Sequence, residues 1–148
     1  MRKNPGFTLV EILAVIVIIS ILAGIATAAY TAVQKDARDN DRKSDVLILK
    51  AALERYFEDN GSYPIFAACQ SSFNGCDVGT LSTALVPNYI DSIPTVPNGT
   101  NYKYIHPTGP PATTNAYELY VVRESDVDCV SGKDPSNWWW ATTAACGY

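Results

Sequence analysis

Charge is missing where this chain is most apolar. From Ile12 to Gln34 there is no Asp, Glu, Lys or Arg, a run of about 23 residues that would span about 34 Å as a helix. Proline is absent between Pro5 and Pro64, so the covalent chain permits one helix from Phe7 to Asp59. Histidine occurs once, at His106, and no two cysteines make a C-x-x-C pair, which leaves a zinc site poorly supported. Basic residues are scarce beyond Asn60, where Lys103, Arg123 and Lys133 face seven Asp and Glu. A head with that balance repels phosphate backbones, and no nucleic-acid site is read in it. No Walker loop, G-x-S-x-G elbow or dinucleotide fingerprint is present, so nothing points to an enzyme and no catalytic residue is assigned. With 148 residues, the chain has room for an anchoring segment and one small domain.

What is present is first a long helix. The apolar run passes into "QKDARDNDRKSDVLILKAALERYFEDNG", where Val46, Leu49, Leu53 and Tyr56 recur at spacings of three and four, one stripe of an amphipathic helix. Asp39 and Lys43 form a favourable i,i+4 pair, Asn60-Gly61 supplies the stop and Pro64 prevents resumption. The whole helix would be about 53 residues or about 80 Å, with residues 7–34 the transmembrane half and 35–60 the amphipathic half. A lone rod of that length is not stable in water, so the second half must lie against a domain.

That domain is residues 61–148. A short helix is predicted at Leu81 to Val86, and strands at "NYKYIH" from Asn101, "AYELYVV" from Ala116 and "NWWWATT" from Asn137, each alternating or rich in aromatic and β-branched residues. The fold class is α+β: a long N-terminal helix packed on a small head of three or four antiparallel strands. His106, before Pro107, reads as a surface histidine.

Arg2 and Lys3 precede the apolar run, and the positive-inside rule keeps them cytoplasmic. The chain is then a single-pass protein of the cytoplasmic membrane, with everything after Gln34 in an oxidising compartment. Cys69, Cys76, Cys129 and Cys146 all lie on that side. Four cysteines allow three pairings. The sequential one is preferred, because Cys69 with Cys76 closes a loop containing Asn74-Gly75, and Cys129 with Cys146 closes a longer one at the C-terminal end.

Glu11 is the residue that two simpler readings leave unexplained. A secretory signal would have Arg2 and Lys3 as its n-region and Ala26-Thr27-Ala28 as its cleavage site, but cutting there would sever the helix. A plain anchor accounts for the length only. Both leave a carboxylate at the edge of hydrocarbon without purpose. The segment "KNPGFTLVEILAVIVIISILAGIATAAY" resembles the N-terminus of type IV prepilins and type II secretion pseudopilins, with a short basic leader ending in Gly, then Phe-Thr-Leu-x-Glu and an apolar helix. The resemblance implies the pilin fold. It also implies that a membrane prepilin peptidase removes the leader, residues 1–6, between Gly6 and Phe7 and methylates the new amine of Phe7. The subunit would wait in membrane lipid, then be polymerised by a membrane assembly platform into a homopolymer or mixed pilin filament.

On this reading Glu11 matches the Phe7 ammonium of a neighbour and sets register. Ser20, Gly24, Ala28 and Ala32 form a small-residue row that permits close helix approach, though an alanine-rich membrane helix would carry such a row anyway. The filament would be an extracellular type IV pilus or a pseudopilus of the cell envelope. The alternative of another class is a membrane-anchored or secreted binding domain that uses the N-terminus for export only.

The resemblance extends more weakly into the head. "LKAALERYFEDNGSYP" is similar to the end of the long helix in pseudopilins and competence pilins, and "YIDSIPTVPNGTNYKY" to the stretch that follows, with Thr95-Val96 replacing an aspartate context. Major pseudopilins hold calcium in an acidic loop, and "RESDVDCVSGKD" offers Asp126, Asp128 and Asp134. True pilins close a C-terminal loop by a disulfide instead, and with Cys129 in place no metal or other cofactor is assigned. Trp138, Trp139 and Trp140 cannot all face one core layer if they lie in a strand, so at least one is read as covering the helix or a neighbouring subunit.

Overall fold

The computed structural model describes residues 6–70, 75–96, 102–106, 115–133 and 143–148. It divides into two compact units, Met1–Ala37 and Arg38–Tyr148. Helix α1 (Leu9–Asn60) is a single element of 52 residues.

In the first unit the helix is apolar on every side, and Ile12, Val15, Ile18, Ile21 and Ile25 all stand about half exposed or more. Three of its hydroxyls bond within the helix: Ser20 Oγ donates to the Ile16 carbonyl at 2.6 Å, Thr27 Oγ1 to Gly24 at 3.0 Å and Thr31 Oγ1 to Thr27 at 3.3 Å. A helix with hydroxyls bonded within itself and exposed apolar side chains all round is suited to lipid or to other helices. Its length and composition are sufficient to cross a membrane.

In the second unit α1 changes character. Val46, Leu49, Ala52 and Leu53 are buried on one side, each larger apolar side chain contributing about 1.5–3 kcal/mol. The helix ends where Gly61 takes φ 71, a left-handed conformation that costs glycine nothing. Beyond it come α2 (Ala67–Gln70), β1 (Cys76–Asp77), a 3-10 turn (Val78–Leu81) and α3 (Ser82–Leu85). The Asp77 carboxylate caps that turn by accepting from Gly79 N at 2.7 Å.

The remaining strands are β2 (Lys103–Ile105), β3 (Tyr117–Val121), β4 (Cys129–Lys133) and β5 (Ala144–Ala145). The sheet order is β1-β2-β3-β4-β5. Tyr104 faces Leu119 across β2 and β3, and Leu119 faces Ser131 across β3 and β4, both pairs antiparallel. The β4–β5 pair is parallel, a departure from the all-antiparallel expectation. Its cause is covalent: the Cys129–Cys146 bond brings the last residues beside β4, where Cys146 N donates to the Val130 carbonyl at 2.8 Å. Among the described residues five strands form against the three or four expected: β1 and β5 are two-residue additions, and β4 lies within the acidic stretch read as a loop. The strand predicted from Asn137 lies outside the described residues.

One core joins Val46, Leu49 and Leu53 to Tyr63, Tyr104, Tyr117, Leu119 and Val121. It is rich in tyrosine, with the Tyr63 and Tyr117 rings 4.5 Å apart and Phe57 stacked on Tyr63 at 4.8 Å. Three of the tyrosines find a hydroxyl partner at the core's edge: Tyr63 donates to Glu54 at 2.9 Å, Tyr104 to the Pro64 carbonyl at 2.9 Å and Tyr102 to Asp45 at 2.8 Å, while the buried Tyr117 hydroxyl has no partner among the described residues. Gly132 sits opposite Glu118, where a Cβ would run into the Tyr117 carbonyl oxygen. His106 is not a surface residue but 3% exposed. It follows an inner strand whose Tyr104 and Ile105, on opposite faces, are both buried, and the end of that strand carries it inward.

Candidate assembly site

Gly6 and Phe7 precede α1 as non-helical backbone, and Phe7 is 86% exposed. A Cβ built at Gly6 would meet nothing within 4 Å among the described residues. Glu11 lies in the first turn of α1. Its Oε2 accepts from Thr8 N at 2.7 Å and from Thr8 Oγ1 at 2.9 Å, while Glu11 N donates to Thr8 Oγ1 at 3.3 Å. This reciprocal arrangement is a capping box, which satisfies helix-end amides and sets a carboxylate at the positive end of the helix dipole. The signal for it, Thr-x-x-Glu ahead of an apolar run, stood in the sequence.

The second unit carries an ionic cluster that joins α1 to the loop after β3. Asp39 accepts from Glu124 N at 3.0 Å, from Ser125 N at 2.8 Å and from the Ser125 hydroxyl, and pairs with Arg42. Glu124 in turn receives Arg38 at 2.6 Å and Arg42 at 2.6 Å. The expected Asp39–Lys43 pair is therefore replaced, because the loop amides and Arg42 take the carboxylate, and the Lys43 ammonium lies over the Tyr148 ring at 5.2 Å. Burial alone would raise the Asp39 carboxyl, but the Ser125 hydroxyl, the two loop amides and Arg42 hold it well below the usual carboxylate range. Hydrogen bonds from Arg38 and then Arg42 hold Glu124 at about 2.

The acidic residues considered for calcium are engaged in the loop itself. Asp126 accepts from Val127 N at 2.8 Å and pairs with Arg123 at 3.1 Å. Asp128 accepts from the Tyr120 hydroxyl at 2.6 Å and from Arg123 N at 3.1 Å. Asp134 lies outside the described residues, and among those described no three His, Cys, Asp or Glu are grouped to hold a metal ion. The disulfides are Cys69–Cys76 and Cys129–Cys146, the sequential pairing. Near the second, Lys50 Nζ donates to Ser131 Oγ at 3.2 Å and to the Tyr148 main-chain oxygen at 2.9 Å. Trp138, Trp139 and Trp140 lie outside the described residues, as does the side chain of Ala28 in the small-residue row.

Residues 1–27 match the prokaryotic N-terminal methylation motif. Over 145 residues, 93% of this chain and 94% of its relative, the sequence is 30% identical to the type II secretion system core protein G of Vibrio cholerae. The chain belongs to the type IV pilin and type II secretion pseudopilin family. The core protein G of Escherichia coli is 29% identical over 144 residues, 92% of each chain. The type IV major pilin protein PilA of Myxococcus xanthus is 34% identical over 65 residues, 44% of this chain and 30% of that one. No solved structure matches. A pilin-like chain of this family is a structural subunit, not an enzyme, and its apolar helix suits a membrane-anchored place in the envelope or a filament.

Proposed function

We propose that the chain is a filament subunit made as a prepilin, cut between Gly6 and Phe7 by a prepilin peptidase, N-methylated on Phe7 and polymerised through α1. The observation that carries this is the uncharged run of α1 from Ile12 to Gln34, whose large apolar side chains stand about half exposed or more among the described residues, headed by one carboxylate at Glu11. Before assembly, lipid covers that surface with Arg2 and Lys3 on the cytoplasmic side; afterwards, other copies do. Glu11 is held ready by Thr8, and the Phe7 ammonium of a neighbouring subunit is the charge it matches on docking.

A pseudopilus is the second reading of the filament. It is favoured by matches to secretion core proteins along nearly the whole chain, whereas the pilin match covers 65 residues. The two C-terminal elements bridged by Cys129 and Cys146 favour an extracellular pilus. Both filaments need the same processing and the same helix.

The test joins two measurements in a cell with a prepilin peptidase. Mass spectrometry of the mature chain should show N-methyl-Phe7 as its first residue. Glu11→Ala should still be inserted and cut, yet should yield about tenfold less filament in a shear fraction than the wild type, since the partner ammonium loses its match. A mature chain starting at Met1 or Ala29 overturns the subunit reading; equal filament yields overturn the role of Glu11.

A further inference from the structure

In the Arg38–Tyr148 unit the Cys129–Cys146 bond has a residue of its own chain held against it. Cys129 is 1% exposed and Cys146 half-buried. Two positions after Cys146 the Tyr148 hydroxyl comes back to 3.9 Å from Cys129 Sγ, the backbone turning at Gly147, whose φ of 77 suits glycine. Three groups fix Tyr148 there. Lys50 Nζ donates to its main-chain oxygen at 2.9 Å, Ser131 Oγ donates to the same oxygen at 2.5 Å, and the Lys43 ammonium lies over its ring at 5.2 Å. Lys43 and Lys50 are seven positions apart on α1 and so share one helix face. Ser131 is two residues beyond Cys129 on β4, on the same side of the strand. Helix and strand both hold this tyrosine, and none of these contacts belongs to the motif at Gly6, Phe7 and Glu11.

We propose that Tyr148 is a seal on the Cys129–Cys146 bond, which keeps external dithiols from opening it while the head stays folded. Opening requires a thiolate to reach one of the two sulfurs. It bonds to that sulfur, the S–S bond breaks, and the other cysteine leaves as a thiolate that takes up a proton. The reagent's second thiol then closes the reagent's own disulfide and frees the first cysteine, so the dithiol is oxidised by two electrons and the protein bond is reduced. Tyr148 stands against Cys129 and denies a thiolate that sulfur. Attack at Cys146 instead would expel Cys129 as a thiolate in a buried position, where a charged sulfur is disfavoured. The seal is held by α1 and β4 together, so it lasts as long as the packing between them does.

The experiment uses the full chain, purified in detergent with both disulfides formed. Dithiothreitol is added, samples are alkylated at intervals, and the cysteine peptides are quantified by mass spectrometry. Tyr148→Ala should lose the Cys129–Cys146 bond about tenfold faster than the wild type. The Cys69–Cys76 bond of the same head should keep its rate, which general loosening of the fold would not allow. Lys50→Met leaves Tyr148 and both bonds in place but removes one donor to the Tyr148 main-chain oxygen, and it should open the Cys129–Cys146 bond at a rate between the two. Equal rates for wild type and Tyr148→Ala would overturn the seal. A rise shared equally by both bonds in Tyr148→Ala and in Lys50→Met would overturn it too, since the bond would then open by unfolding of the whole head.

Discussion

Asp39 and Glu118 are both buried carboxylates, and they respond to burial in opposite ways. Asp39 meets amides, a hydroxyl and a guanidinium, and its carboxyl falls; Glu118 is 2% exposed, its Oε2 has no partner among the described residues, and burial pushes its carboxyl up to about 7. A lowered carboxyl adds stability that is fully present above its unfolded value and lost as pH falls through the folded one. For Asp39 and Glu124, resistance to urea should therefore decline from about pH 4.5 toward pH 2. Asp39→Asn should cost about 3 kcal/mol at pH 7, because Arg42 is left buried with less compensation, and a urea titration with an unchanged slope would measure it. For Glu118 the sign reverses. Its unfolded form ionises near 4.5 while the folded form keeps its proton to about 7, so stability drops as pH rises between those values. Glu118→Gln should stabilise the head by up to about 3 kcal/mol at pH 8 and by almost nothing at pH 4, read from melting curves at the two pH values.

Among the elements, β4 and β5 depend most on a covalent link. Each is short, and β5 has two residues whose parallel partner strand is β4, a pairing too small to persist by its hydrogen bonds alone. Cys129 and Cys146 are separated by 17 residues, and opening a loop of that size should destabilise the head by about 3 kcal/mol in the chain-entropy model. Denaturation of wild type and of Cys129→Ser/Cys146→Ser, each in the absence of reductant, would measure this; coincident midpoints would show that the ladder holds β5 without the bond. Helix α1 illustrates the converse. Its stripe, its stop at Asn60-Gly61 and its freedom from proline were all legible, because each is a local property of consecutive residues. β4 was not legible, since "CVSGK" has little strand propensity and becomes a strand by lying between β3 and β5.

Across the molecule, a helix stretch long and apolar enough to cross a membrane and a folded head are joined in one chain, and the two suit different solvents. The first unit should partition into lipid on its own apolarity. Ile18→Arg, near the middle of the uncharged run, should weaken insertion by about 3 kcal/mol. Carbonate extraction of membranes would then release a larger share of the variant than of the wild type, and equal retention would contradict a span centred there. Among its described residues the head keeps most large apolar side chains in one tyrosine-rich core, with Leu47, Ile48, Ile65 and Val127 the exceptions.

The long helix, the apolar run, the motif around Gly6, Phe7 and Glu11 and the resemblance they carry are legible because they rest on residues close together along the chain. The sequential disulfide pairing is also legible, from the Asn74-Gly75 turn between Cys69 and Cys76 and the longer C-terminal loop between Cys129 and Cys146. Packing, not local sequence, sets which partner Asp39 takes, buries His106 and Glu118, and lets Cys146 draw a parallel strand against β4. Asp39 meets Glu124 and Ser125 across a separation of about 85 residues, and Lys43 was the nearer candidate along the helix. A buried carboxylate is governed by the donors that surround it in space, and those are set by packing rather than by neighbouring positions in the chain.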